Sequence, residues 1–489
     1  MGLDGNEMLR SLKHLSEVER MKQVVPLSYA LFPGYHCPLM GAMLTIKEID
    51  SSVMAVLGPD ECAYYTKMAT DGTGMAADGC QIVSIVLDQH DVTFGCQKKL
   101  EAAFAELAKE YNPKAVFLVT TCVPEVTGDD VDSLADNLIE EYEFPILVFH
   151  AENFKTDDHL PGIEHTMSEC IHLMEAQECD GSVNVLGLRL GDFRRTETAQ
   201  ILRECNVPIG MLLPGKTSVE EIRRAPEAKV NLVVHPVGLP LAKKMKEKFG
   251  IPYVDFQRFS EPKTILACYQ SLFQCLEQPM PEKIRTMYEA AEKRTENARP
   301  LLAGGRYISG NTALCNYEMH SFLHRRLGLT AQLLQISDLD EDGLVWRKDI
   351  LQYADPYVTR AANIGALQYL YPVLKPDYNL GAGAAREMIK SGTVPVQMMQ
   401  AYNTLGFEVN EMVVNAFLQA CHRKEEMFEG MPGMPRGMSR MIAGRMPKGM
   451  SGVVPGKMPQ EMMGAMSGKM PQEMMERMPG KMPEKGGQL

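Results

Sequence analysis

From residue 110 onward the chain alternates short, unbroken apolar runs with longer amphipathic stretches. That alternation narrows its possible folds more than any other feature. The runs are Ala115–Thr120 (AVFLVT), Pro145–Phe149 (PILVF), Asn184–Leu188 (NVLGL), Ile209–Leu213 (IGMLL), Val230–His235 (VNLVVH), Arg306–Ser309 (RYIS) and Gln332–Ile336 (QLLQI). A run that is apolar throughout predicts a strand covered on both faces. Between these runs lie helix candidates at Asp129–Tyr142, Glu197–Cys205, Leu239–Phe249 and Ala313–Leu327. Strand and helix in strict turn predict α/β domains with doubly wound parallel sheets.

The 489 residues are enough for roughly three domains of about 150 residues each. A new strand series begins near residue 180, at ECDGSVNV. A charged helical stretch, Pro281–Asn297, gives way near 298 to ARPLLAGGRYISG. These breaks divide the chain into segments 20–180, 181–300 and 301–426. From Met427 the character changes. Met-Pro recurs at Met434, Met446, Met458, Met470 and Met482, and KMPQEMM occurs at both 457–463 and 469–475. Pro and Gly every few residues block long helices. Residues 427–489 therefore read as a low-complexity Met/Pro/Gly-rich appendage. A Met-rich docking surface and thioether sites for a soft metal are the sharper alternatives.

The formal charge of −13 repels phosphate backbones, so nucleic acid is not an expected partner. No stretch of about 18 uncharged apolar residues occurs, so no membrane span is expected. The opening MGLDGNEMLRSLKHL is charged and lacks the apolar centre of a secretory signal, which points to the cytoplasm. In such a reducing setting most of the 12 cysteines should be buried thiols rather than disulfides.

Three cysteines stand in distinctive settings: Cys37 in GYHCPLMGA, Cys62 in LGPDECAYY and Cys122 in FLVTTCVPEVTGDD. Cys122 follows an apolar strand and precedes Gly128–Asp129–Asp130, which opens an amphipathic helix. That places it in a strand-to-helix loop at the carboxyl edge of a parallel sheet, where α/β folds bind ligands. Cys37 and Cys62 are also expected in loops, marked by Pro and Gly. Gly34, Gly41 and Gly58 would let backbone approach a bulky group closely. Three thiolates suit an iron–sulfur cluster, since soft sulfur selects such centres. A cubane takes about four protein ligands, so an odd count suits a cluster shared between subunits. By spacing alone, structural thiols remain the competing reading, because no CxxC pair is present.

The segments CPLMGA, GPDEC and TTCVPEVTGDD, at intervals of 25 and 60 residues between cysteines, resemble the cluster-binding motifs of the nitrogenase component 1 superfamily. FGCQKKLEAAF resembles its FGG-x-x-KL segment, with Cys96 in place of a glycine. AKVNLVVH, KEKFGIPYVDF, LKPDYNLGAGAAREM and YNTLGFE resemble parts of its second and third domains. The resemblance covers about residues 25–410. It implies three doubly wound α/β domains and oligomers with a homologous component 1 subunit. It also implies Cys37, Cys62 and Cys122 as ligands of a [4Fe-4S] or P-cluster-like [8Fe-7S] cluster. The expected electron donor is a separate ATP-hydrolysing iron protein. The expected function is the iron–sulfur subunit of a two-component, nitrogenase-like reductase acting on a substrate or cofactor in an interdomain cavity. The alternative is a cofactor-assembly scaffold of the nitrogenase maturation type.

The chain departs from the nitrogenase pattern where that family ligates its iron–molybdenum cofactor. Val234 or His235 stands in place of the cysteine, and VPVQMMQAYN contains no histidine. Dinitrogen reduction at that cofactor is not expected, and any second metallocofactor is of unknown type. His165, in PGIEHTM, falls loosely where nitrogenase has a histidine beside its cofactor. It is the candidate proton donor, against a structural histidine. His235 is weighed between ligand and core, and Cys96 between fourth thiolate and buried spectator.

Residues 210–217, GMLLPGKT, satisfy G-x-x-x-x-G-K-T. In a phosphate loop the strand comes before the first glycine. Here Met211–Leu213 continue the run begun at Val207. The segment is therefore expected to be a strand end, a turn and a helix capped by Thr217 or Ser218.

Overall fold

The computed structural model describes residues 4–28, 37–71, 79–142, 144–151, 158–188, 191–310, 316–337, 339, 343–360, 364–381, 383–398 and 401–429. Gly34, the start of the expected helix at Ala313 and the tail from residue 430 lie outside these residues.

Three parallel sheets carry the fold. The first comprises β1 (Ser52–Gly58), β2 (Cys80–Val86), β3 (Ala115–Thr120) and β4 (Ile146–His150), in spatial order β2-β1-β3-β4. The second comprises β5 (Val183–Leu186), β6 (Ile209–Leu213), β7 (Val230–Val233) and β8 (Tyr253–Asp255), in the analogous order β6-β5-β7-β8. The third comprises β9 (Arg306–Ser309), β10 (Thr330–Ile336), β11 (Tyr357–Arg360), β12 (Tyr378–Leu380) and β13 (Val394–Val396), in order β11-β10-β9-β12-β13. A two-residue strand, Lys13–His14, pairs antiparallel with β11. Met8, Leu12 and Leu27 share a core with Ile308 and Leu333, so the chain's first described residues pack with the third sheet.

The unbroken apolar runs are explained by cover on both faces. In β1, Met54 and Val56 enter a core with Phe117 and Val119 on one face. Val53, Ala55 and Leu57 enter another with Val116 and Leu118 on the opposite face. Period-two alternation thus sorts an all-apolar strand into two separate layers. Segment 210–217 behaves as its context predicts. Gly210 lies inside β6, and Ser218 caps the helix Val219–Arg224 by accepting from Glu221 N at 3.1 Å.

All strands of the first sheet run parallel, but the chain moves from β1 to β2 on one side and then returns to β3 on the other. The connections leaving β1 and β3 therefore diverge and open a crevice at the carboxyl ends of those two strands. This is the topological switch point at which open α/β sheets take their ligands.

Candidate metal centre

Cys62 follows β1 and Cys122 follows β3, so these two thiols flank the switch point. Cys37 arrives from the element before β1. Each sits at the first turn of a helix rather than in an open loop. Cys37 is the N-cap residue of the helix Pro38–Ile46, Cys62 the third residue of Asp60–Asp71, and Cys122 the first of Cys122–Thr127. The prolines beside two of them are the local signal, since Pro38 opens its helix and Pro59 accepts from Cys62 N and Ala63 N. The third helix closes at Gly128, whose φ is 77°. The amphipathic helix foreseen at Asp129 begins after it, at Val131.

Glycines set the close packing around the thiols. A Cβ on Gly41 would stand 2.1 Å from His159 O, and one on Gly162 would stand 2.0 Å from Pro38 O. The Cys37 helix and the helix Leu160–Glu169 therefore cross backbone to backbone. A Cβ on Gly58, at the end of β1, would lie 2.1 Å from Thr121 Oγ1. That contact draws the end of β1 against the start of the Cys122 helix.

The three thiols lie close enough to act on one another electrostatically. Burial pushes the Cys37 thiol up. Main-chain hydrogen bonds at Leu39 and Met40 oppose this, and Cys122 adds to it. Burial also pushes Cys62 up. A hydrogen bond with Thr121 opposes it, while Cys37, Cys122 and Glu61 reinforce it. All three are half-buried. Apolar side chains lie exposed around them: Tyr64 and Met68 on the Cys62 helix, Val126 on the Cys122 helix, and Val92 and Phe94 on the neighbouring helix Gln89–Phe94.

Other expected site residues are placed differently. Cys96 is fully buried among Leu100, Phe104 and Leu118. Burial pushes it up to about 11, with Asp129 and Asp91 adding to the shift. It behaves as a core residue. His165 is exposed on the helix Leu160–Glu169. His235 is half-buried, and its Nδ1 accepts from Val237 N at 3.3 Å. Val234 is buried, while Met399 and Gln400 lie outside the described residues. A cavity of about 760 Å³ opens beside the edge strand β8, against the helix Pro262–Leu276, and none of its lining residues belongs to the first sheet.

The model for nitrogenase component 1 type oxidoreductases matches residues 37–416. The chain belongs to this family. It is 32% identical over 227 residues to the nitrogenase iron-molybdenum cofactor biosynthesis protein NifE of Clostridium pasteurianum, covering 45% of this chain and 49% of that protein. It is 24% identical over 260 residues to the nitrogenase molybdenum-iron protein alpha chain of Methanosarcina barkeri, covering 50% and 48%. It is 22% identical over 396 residues to a light-independent protochlorophyllide reductase subunit of Pyropia yezoensis, covering 76% of each. The chain spans about half the length of the NifE relatives it matches. A solved structure, nitrogenase Cp1 at pH 6.5, superposes with a TM-score of 0.68 at 13% identity, covering 83% of this chain and 97% of that one. That likeness establishes the fold.

The donor set of this component 1-type chain fits a cluster better than a single ion. One tetrahedral ion with Zn–S bonds of about 2.3 Å draws its sulfurs to within roughly 4 Å of each other. Among the described residues, Cys37, Cys62 and Cys122 do not form a group whose ligand atoms all lie within 4.8 Å. The wider spread, the soft donors and the placement on three separate elements suit a polynuclear iron–sulfur centre.

Proposed function

We propose that Cys37, Cys62 and Cys122 hold an iron–sulfur cluster completed by a homologous subunit. In this reading the chain is the electron-accepting subunit of an ATP-dependent, two-component nitrogenase-like reductase. The observation that carries it is the convergence of three half-buried thiols at the switch point of the first sheet, where Cys122 opposes ionisation of Cys37, and Cys37 and Cys122 oppose that of Cys62. Left as thiolates they repel one another. Metal coordination relieves that repulsion, and the positive ends of three helices favour the anionic sulfurs. When bound, the cluster supplies one-electron storage. The protein's own contribution is to fix the thiols and keep one side open to a second subunit. The exposed Tyr64, Met68, Val92, Phe94 and Val126 support docking of protein partners around this edge. The partners proposed are a component 1-like subunit and an ATP-hydrolysing iron protein.

A second reading, a scaffold that holds and releases a cofactor precursor, is favoured by the NifE relatives at 29–32% identity. His165 is proposed as a proton donor only in the reductase reading. The test is anaerobic purification with iron and sulfide quantitation and EPR, on wild type and on Cys37→Ala, Cys62→Ala and Cys122→Ala. Several irons per protomer, with the signal lost or altered in each variant, are expected. Equal iron in all four proteins would remove the assignment. Reoxidation of the reduced centre by a substrate, with ATP and an iron protein present, marks the reductase. Release of the intact cluster to an acceptor protein marks the scaffold.

A further inference from the structure

A row of paired titratable side chains runs inward from solvent to the Cys122 helix, and cluster binding alone gives it no role. Its inner member is Glu125, three residues past Cys122 and nearly one turn along the same helix. Its middle member is His150, the last residue of β4. His150 stands in register with Thr120, the last residue of β3. Its outer member is Asp132, in the first turn of the helix Val131–Tyr142. His150 Nδ1 lies 2.6 Å from Glu125 Oε1, and Nε2 lies 3.3 Å from Asp132 Oδ2. Thr120 Oγ1 also donates to Glu125 Oε1. Exposure is graded along the row: 16% for the Glu125 side chain, 38% for His150 and 67% for Asp132.

This geometry excludes the commonest alternative for a Glu–His–Asp set, a metal site. The carboxylates sit on opposite nitrogens of one ring, so their oxygens do not converge on a point. The row suits proton passage instead, because an imidazole hydrogen-bonded to one carboxylate at Nδ1 and ion-paired with another at Nε2 can accept at one nitrogen and release at the other. The charged residues acting on His150 are Glu125 and Asp132.

We propose that Asp132, His150 and Glu125 form a proton relay that compensates charge at the Cys37/Cys62/Cys122 site. The inference rests on the cluster assignment. Each electron delivered by an external one-electron donor adds one negative charge to a partly buried region. One proton taken from water through Asp132 and held on the His150–Glu125 pair restores the balance. One electron and one proton enter together, the donor is oxidised by one electron, and water is the proton source. Burial draws the His150 ring down, but the Glu125 hydrogen bond and the charges of Glu125 and Asp132 outweigh it, and the net shift is upward from 6.5. The ring therefore keeps its proton to higher pH than an ordinary imidazole. A further negative charge nearby raises it again, which is what redox-linked proton uptake requires. These three residues are positioning residues, and their role is read in a potential rather than a rate.

The experiment is an EPR-monitored redox titration of full-length, iron-loaded protein between pH 6 and 9, with dithionite as reductant. Wild type is expected to show a midpoint potential that falls with pH over an interval beginning near the His150 pKa. In His150→Gln the fall in that interval is lost, with iron content unchanged. In Asp132→Asn, an exposed change unable to disturb the core, the interval moves to lower pH because one carboxylate supporting the imidazolium is gone. An unaltered slope in His150→Gln, with iron and signal intact, overturns the relay and leaves the cluster standing. Absence of iron from wild type, or undiminished iron in Cys62→Ala, overturns the cluster and the relay together.

Discussion

At the seam between the second and third sheets, buried charge is met by donors; at the crevice of the first sheet, it is left half-open. In the seam, Glu197 accepts from Tyr269 Oη at 2.8 Å, Phe407 N at 2.9 Å and Glu408 N at 3.0 Å. Glu408 in turn accepts from Glu197 N at 3.0 Å and Leu405 N at 2.7 Å. Two helices thus cap each other's first turns. Glu318 does the same for Ser260 N and Glu261 N, both at 2.8 Å, and Arg258 reaches the carbonyls of Tyr402 and Thr404. The crevice also uses helix first turns, but the ionisation of Cys37 and Cys62 there is opposed by burial and by the neighbouring cysteines, and exposed apolar residues lie on the same helices. A buried polar group that is fully met within the chain holds the fold together. Thiols whose neighbours oppose their ionisation are the ones a bound cluster, as proposed, would relieve.

The contrast is sharpest for glycines. Gly406 in the seam has φ +98°, and a Cβ there would meet Tyr269 Oη at 2.4 Å and Glu197 Oε1 at 2.5 Å. Gly128 beside the crevice has φ +77° and open space around it. Gly406→Ala combines left-handed strain with a clash inside a hydrogen-bond network, so roughly 3 kcal/mol or more of stability is expected to be lost. Gly128→Ala carries the strain alone, about 1 kcal/mol. Urea unfolding of both variants measures the difference, and equal losses would undo the distinction between the two regions.

Histidines give the same contrast with opposite signs. His320 and His324, packed around Tyr307 in the third sheet, are pulled down by burial to about 3 and about 4. The unfolded chain binds their protons first, so their neutral burial stabilises the fold above pH 6.5 and that stability drains away on acidification. The slope is roughly 1 kcal/mol per pH unit for each ring below 6.5. His150 is shifted upward, so its contribution is present at low pH and lost as pH rises past its folded pKa. Its exposure makes that contribution smaller. Replacing His320 and His324 by Gln should flatten the acid limb of a stability–pH curve. His150→Gln should leave that limb alone.

Much of the fold is legible locally. Ala115–Thr120, Ile209–Leu213, Arg306–Ser309 and the helix Leu239–Phe249 coincide with their sequence patterns, because a strand buried on both faces declares itself by composition. Ser52–Gly58 is as unbroken an apolar run as any, yet an alternation traced from residue 110 passes it by, and it proves central to the first sheet. The three cysteines are recognisable by motif. Their placement about a switch point is not, since strand order is a tertiary choice that no local pattern encodes. The six-residue helix Cys122–Thr127 is too short to show a period. The His150–Glu125 bond spans 25 positions and exists only because β3 and β4 lie in register.

Cysteines test whether that difference in placement matters. Cys96→Ala removes a fully buried sulfur from the layer under the sheet, so about 1 kcal/mol of stability should go and bound iron should stay. Cys62→Ala, at a half-exposed position, should cost less stability and most of the iron. Measuring both quantities on both proteins separates spectator from ligand. Iron lost from Cys96→Ala would make that buried thiol part of the centre.

The smallest effect on stability, and the most informative about partners, belongs to Phe94. Its side chain is 75% exposed at the end of the helix Gln89–Phe94, which packs against the Cys122 helix with Val126 exposed alongside. Phe94→Ala removes nothing from either core, so folding stability should change by no more than about 0.5 kcal/mol. An aromatic side chain held in water on a helix packed against the proposed cluster site makes sense as an anchor for a docking protein, and such anchors contribute on the order of 2 kcal/mol to association. That corresponds to roughly thirtyfold in affinity. Reduction by an iron protein with ATP, followed at increasing iron-protein concentration, should therefore need about thirty times more donor for half-maximal rate. Reduction by dithionite should be unchanged, because it requires no docking. If both reductants act on Phe94→Ala as they do on wild type, the donor approaches from elsewhere, and the open edge of the first sheet faces the second subunit alone.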